Sequence, residues 1–110
     1  MSAALIWSAF ESEESAAEVA AALLDEGLIA CANIVPGVRS LYVWRGERGD
    51  ARESGMLCKT HATLLEKAVT RLAELHPYET PAVSGWLADA TAAPTEEWLS
   101  ELVASKGRWA

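Results

Sequence analysis

The sequence predicts an α+β fold in which four strands and two helices alternate as β-α-β-β-α-β, with a third helix closing the chain. Three features of the pattern predict it. Ala3 to Phe10 is a short apolar run without charge, bounded by polar residues, as a buried strand requires. Two later segments repeat apolar residues at the spacing that gathers them on one face of a helix. Between those helices, Val38 to Trp44 is rich in β-branched and aromatic residues, and a polar, glycine-bearing stretch separates it from a partner run, the pattern of a long hairpin.

The elements follow in order. Ser12 is the N-cap of a helix over about Glu13 to Glu26: its hydroxyl accepts from an otherwise unpaired backbone N–H, and Glu13 and Glu14 suit the positive end of the helix dipole. Ala16, Val19, Ala20, Leu23 and Leu24 form the apolar stripe, and Gly27 supplies the C-terminal stop. Leu28 to Val35 is extended, Pro36-Gly37 is a turn and Val38 to Trp44 a strand. Arg45 to Asp50 is the hairpin tip, and Glu53 to Thr60 returns as the partner strand. Thr63 with Glu66 fits a capping box at the start of a second amphipathic helix carrying Leu65, Val69, Leu72 and Leu75. His76-Pro77 ends that helix, because a residue before proline is driven out of the helical region. Pro81 to Leu87 reads as the last strand, and Pro94, Glu96 and Glu97 open a short final helix with Trp98, Leu99, Leu102 and Val103.

This is the split-βαβ, ferredoxin-like order, with both crossover helices on one face of an antiparallel sheet. No repeat or linker divides the 110 residues, which read as one domain, 1–110. The opposite sheet face then lacks cover, although Trp7, Trp44 and Trp86 all fall in strands, so self-association is expected. A net charge of -7 suits neither nucleic-acid phosphates nor anionic membranes, and mildly favours cations. No apolar run approaches the roughly 18 residues of a membrane span, and the N-terminus lacks the positive charge of a signal peptide. Two cysteines, Cys31 and Cys58, do not make a disulfide framework, so free thiols in a reducing cytoplasm are expected.

Two strings are more specific than any periodicity. One is Ala30-Cys31-Ala32-Asn33-Ile34-Val35-Pro36-Gly37, continued by Ser40-Leu41-Tyr42-Val43-Trp44-Arg45-Gly46; the other is Leu75-His76-Pro77-Tyr78-Glu79-Thr80-Pro81. With Glu53 and Lys59-Thr60 between them, they resemble the signature segments of the CutA divalent-cation tolerance family, in its order and spacing, from about Leu5 to Leu102. The resemblance implies a ferredoxin-like fold assembled as a homotrimer. It also implies a link to divalent-metal tolerance, copper above all, with reported metal binding. An architectural likeness to the trimeric PII signalling proteins keeps a second reading open, a sensor or scaffold holding a small anionic metabolite in intersubunit clefts. The chain departs from the family pattern at Glu47, where a lysine is common, and at Ser8 and Arg71, where some bacterial members carry further cysteines. Of that cysteine constellation only Cys31 is present.

The candidate site residues each have a structural alternative. Cys31 is a soft ligand suited to copper, or a small buried hydrophobe. His76 is a metal ligand, or a cap at the negative end of a helix. Lys59, at a strand end among apolar neighbours, needs an anionic partner. Glu53 lies an even step away on the same face, but about 20 Å distant along the strand, so a contact between them would come from neighbouring subunits. Tyr78 and Glu79 add a hydroxyl and a carboxylate in an irregular segment, and Trp44 is a stacking platform or interface packing. Cys58 and His61, three apart on a strand, point to opposite faces and make a poor chelate. No phosphate loop, nucleophile elbow or zincin motif is present, so no enzymatic activity is expected, and no cofactor beyond copper or another divalent ion is implied.

Overall fold

The computed structural model describes residues 2–106. Strand β1 (Ala3–Phe10) leads to helix α1 (Glu13–Asp25), strands β2 (Cys31–Trp44) and β3 (Glu47–His61), helix α2 (Leu65–Leu75), strand β4 (Val83–Leu87) and helix α3 (Ala93–Lys106). The sheet order is β2-β3-β1-β4, with every neighbouring pair antiparallel. Two split βαβ units therefore interleave: β3 lies between β1 and β2, and β1 between β3 and β4. Right-handed crossovers put α1 and α2 on the same face. Their Val19, Leu23, Ala68 and Leu72 bury Ile6, Phe10, Met56 and Cys58 in one core. Gly85 lets α2 come close, since a Cβ there would fall 2.7 Å from Leu65 Cδ1.

The expected caps hold at α1. Ser12 Oγ accepts from Ser15 N at 3.1 Å, and Gly27 takes φ 70° behind the last turn. At α2 the expected capping box is absent. A short 3-10 turn, Ala62–Leu64, intervenes; His61 Nδ1 accepts from Thr63 N at 3.1 Å, and α2 starts at Leu65 without a side-chain cap. The local competitor for Thr63 is His61 itself, whose Nδ1 also lies 2.8 Å from Thr63 Oγ1. In α3, Leu99 is buried whereas Trp98 and Val103 are exposed, and Glu96 accepts from Ser2 N and Oγ, tying the last helix to the first strand.

Pro36-Gly37 does not end a strand, as the turn reading expected. It forms a bulge within one continuous β2: between Val35 and Val38 the chain advances three positions while β3 advances two, from Gly55 to Glu53. Gly37 takes φ 74°, which the bulge requires and a side chain resists. One extra residue reverses which side chains face which side. Before the bulge Cys31 and Asn33 share a face with Lys59 and Leu57; beyond it Val38, Ser40, Tyr42 and Trp44 share that same face with Glu53, Ala51, Gly49 and Glu47. The hairpin tip is also tighter than the six residues expected. Trp44 pairs directly with Glu47, leaving Arg45 (φ 51°) and Gly46 (φ 79°) as a two-residue turn with both angles positive, the form that matches strand twist. The last strand begins at Val83 rather than Pro81, because proline has no N–H for the ladder.

Candidate ligand cleft

The segment after α2 is anchored from below by His76. Its ring is buried and stacked on Phe10, with centroids 4.1 Å apart. Nε2 donates to Ala9 O at 2.9 Å and Nδ1 accepts the Tyr78 N–H at 3.1 Å, an arrangement that needs the neutral ring with its proton on Nε2. Burial lowers the His76 pKa below the ordinary histidine range, against a weaker opposing pull from the Ala9 hydrogen bond and from Glu53 and Glu11. Both ring nitrogens are thus committed to backbone, and the side chain fixes the path of the loop it starts.

That loop presents Tyr78. Its ring lies 4.7 Å from the His76 ring and its hydroxyl donates to Glu53 Oε2 at 2.5 Å, joining the loop to β3. Burial first, then the bond to Glu53, raises the Tyr78 pKa well beyond the usual phenol range, so the donor role persists at every physiological pH. Between this loop and the hairpin arm opens a cavity of about 630 Å³, walled by Tyr42, Trp44, Arg45, Glu53, Tyr78 and Glu79. Tyr42 lies flat over Gly49, where a Cβ would fall 2.2 Å from Tyr42 Cζ. The Arg45 guanidinium sits over the Trp44 ring, 5.1 Å from its centroid.

Lys59 and Cys31 lie elsewhere. They are opposed residues of β3 and β2, and Asn33 joins them: its Oδ1 accepts from Lys59 Nζ at 2.9 Å and lies 3.6 Å from Cys31 Sγ. Within one chain the structure therefore gathers Trp44, Glu53, Tyr78 and Glu79 around one cleft, sets His76 behind it, and places Lys59 with Cys31 at a second position along the same face. Asn33 was not singled out from the sequence, although its i+2 spacing from Cys31 puts both on one side of a strand. Cys58 points into the core, where burial, with a smaller contribution from nearby Cys31, pushes its thiol up to about 12. It is remote in direction from His61, as strand alternation expected. Among the described residues no three His, Cys, Asp or Glu side chains gather as a metal cluster, and no helix is long and apolar enough to cross a membrane.

The fold and cleft define a class: a split-βαβ chain whose second sheet face and long hairpin arm are left bare beside an acidic, aromatic-lined cleft. Residues 4–102 match the CutA1 divalent ion tolerance protein family, and the chain belongs to it. It is 36% identical over 99 residues, 90% of this chain and 97% of the relative, to the divalent-cation tolerance protein CutA of Thermotoga maritima. The crystal structure of CutA1 from Pyrococcus horikoshii superposes with a TM-score of 0.83 at 35% identity, covering 90% of this chain and 96% of that one. A periplasmic divalent cation tolerance protein CutA from Archaeoglobus fulgidus gives 0.85 at 28% identity, covering 92% and 98%.

Proposed function

We propose that the chain acts as a homotrimer in tolerance of divalent metal ions, copper among them, by binding the ion weakly. The observation that carries this is the Glu53 carboxylate, held at the wall of the cleft by Tyr78 in a member of a family named for divalent ions. Glu79 adds a second carboxylate, and the net charge of -7 raises the local cation concentration. Cys31 is the soft donor for copper, and with Cys58 buried in the core it is the one accessible thiol per chain, so a fuller ligand set needs several chains. The ammonium of Lys59, two hydrogen-bond steps away through Asn33, keeps such a site weak. His76 serves by positioning Tyr78 rather than by ligation. Assembly is supported by the bare face and by the hairpin arm: Trp7 and Trp86 on that face, and Leu41 and Val43 on the opposite face of the arm, are too exposed for a lone chain in water. Unpaired Cys31 and Cys58 favour a cytoplasmic setting for this chain.

A second reading, a PII-like trimeric sensor or scaffold, is favoured by the cavity, which at about 630 Å³ exceeds what a metal ion fills. Its lining carries two carboxylates and one arginine, so an anionic metabolite would need Lys59 brought in from a neighbouring subunit.

Titration of purified protein with Cu(II) and Mn(II) tests the main reading. Glu53→Gln or Cys31→Ser is expected to weaken binding about tenfold, or 1.4 kcal/mol; unchanged binding in both removes the metal reading. Sedimentation at micromolar concentration should give the mass of three chains, and a monomer there removes the assembly.

A further inference from the structure

We propose that the cleft between the hairpin arm and the Tyr78 loop binds an organic ammonium compound with an apolar body. This rests on the reading of that cleft as the ligand site and names the chemical class it takes. Four observations converge. The volume, about 630 Å³, lies in the range of small-molecule pockets. The walls are aromatic, with Tyr42, Trp44 and Tyr78 contributing rings, and Pro81 and Ala82 completing the apolar part. The charge is acidic: Glu53 and Glu79 face a single cation, Arg45. That cation lies over the Trp44 ring, 5.1 Å from its centroid, a cation–π placement an ammonium group would share at the same aromatic wall.

A metal ion held weakly at Glu53 leaves most of this space unfilled. Divalent ions of the calcium and magnesium kind take six or more oxygen ligands at about 2.0–2.6 Å. Here Glu53 Oε2 is held by the Tyr78 hydroxyl, and among the described residues no hydrogen bond reaches its Oε1. One directed carboxylate oxygen beside aromatic faces holds such an ion only weakly. It is a good partner for an ammonium head, whose methyl or methylene groups lie against rings while its charge faces an acid. An anion of the same size would meet two carboxylates with no unengaged cation on the wall.

Isothermal titration of the intact native assembly with benzyltrimethylammonium tests this, with phenylacetate and benzyl alcohol as anionic and neutral controls. The ammonium probe is expected to bind and the controls to bind at least about tenfold more weakly, with Trp44→Ala and Glu53→Gln each reducing probe affinity about tenfold. Trp44 is exposed and Glu53→Gln preserves shape, and circular dichroism checks that both variants fold. Phenylacetate binding as tightly as the probe, or no probe binding at about 10 mM, overturns the proposal. So does a Lys59→Gln variant that gains affinity, which would make a second copy's lysine the occupant. The metal titration separates this failure from that of the underlying reading. If Mn(II) binding remains sensitive to Glu53→Gln while the ammonium probe does not bind, the ligand class is wrong and the cleft stands. If neither binds, the cleft itself falls.

Discussion

Along β1 the side chains alternate between two environments. Ala4, Ile6, Ser8 and Phe10 point beneath the helices and are buried, whereas Trp7, between two of them, is 37% exposed. The same contrast crosses the sheet: Met56 and Cys58 are buried, while Leu57 and Lys59 beside them face outward with Trp86 of β4, which is 45% exposed. One face is completed by this chain's own helices and the other is not. Even a polar residue is fully accommodated on the covered face, since Ser8 Oγ donates to Ala82 O at 2.9 Å and Thr60 Oγ1 to Leu28 O at 2.7 Å. On the bare face the largest rings are only half packed, with Trp7 resting on Gly55 where a Cβ would fall 2.2 Å from its Cη2. The lesson is that the covered face stabilises the chain, and the bare face stores surface for something else to bury.

The strongest challenge to this contrast compares Phe10→Ala with Trp7→Ala. Emptying the Phe10 site should cost about 3–5 kcal/mol in denaturant unfolding. Trp7→Ala should instead lower the concentration stability of the assembly, read by sedimentation, while its secondary structure survives. Equal losses of unfolding free energy, with the assembly intact, would break the distinction. Next in size is Gly55→Ala, which forces the Trp7 ring to move and should cost about 1–3 kcal/mol by overpacking. A changed tryptophan emission would locate that effect on the bare face, and an unchanged spectrum and stability would show that the ring has room.

A smaller effect sharpens the boundary between fold and cleft. His76 is held neutral, with its folded pKa below the unfolded value of about 6.5. The unfolded chain therefore binds the proton more readily, and stability falls as pH drops below about 6.5 toward the folded pKa. Above that window the contribution is fully present. His76→Gln should remove this component of the pH dependence and loosen Tyr78 from Glu53, detected in the tyrosine resonances. A variant with the same acid limb as the parent would assign the pH dependence to other groups. The smallest effect is at the rim of the helical layer. Arg71, with its bidentate link to Glu26 at 2.8 and 3.1 Å, is exposed and screened by water, so Arg71→Ala should leave the melting temperature within error.

Much of the architecture was legible because local physics and tertiary packing agree there. The charge-free run Ala3 to Phe10, the Ser12 cap with Gly27 behind it, and the proline stop after His76 each combine a propensity with a boundary signal. The failures lie where two local signals compete. Pro36-Gly37 carries the chemistry of a turn, yet pairing with β3 on both sides turns it into a bulge. Thr63 has the spacing of a cap, but His61 takes its N–H. The cleft was half legible. Tyr78, Glu79 and Glu53 could be chosen by residue type, and Trp44 by its place in the hairpin, but that Trp44 and Glu53 share one wall depends on the bulge reversing the alternation of β2.

Alternation, caps and the order of elements are encoded over a few residues each, so the sequence by itself determined the split-βαβ plan, the helix-covered face and the surplus of tryptophan on the other. Tertiary structure alone decided that His76 is buried with both nitrogens engaged, that Lys59 turns to Asn33 and Cys31 rather than toward Glu53, and that Tyr78 closes on Glu53. The physical reason is separation along the chain. Tyr78 and Glu53 are 25 residues apart and His76 and Ala9 are 67 apart, so their bonds arise only when sheet register, a one-residue bulge and the end of α2 bring distant backbone together.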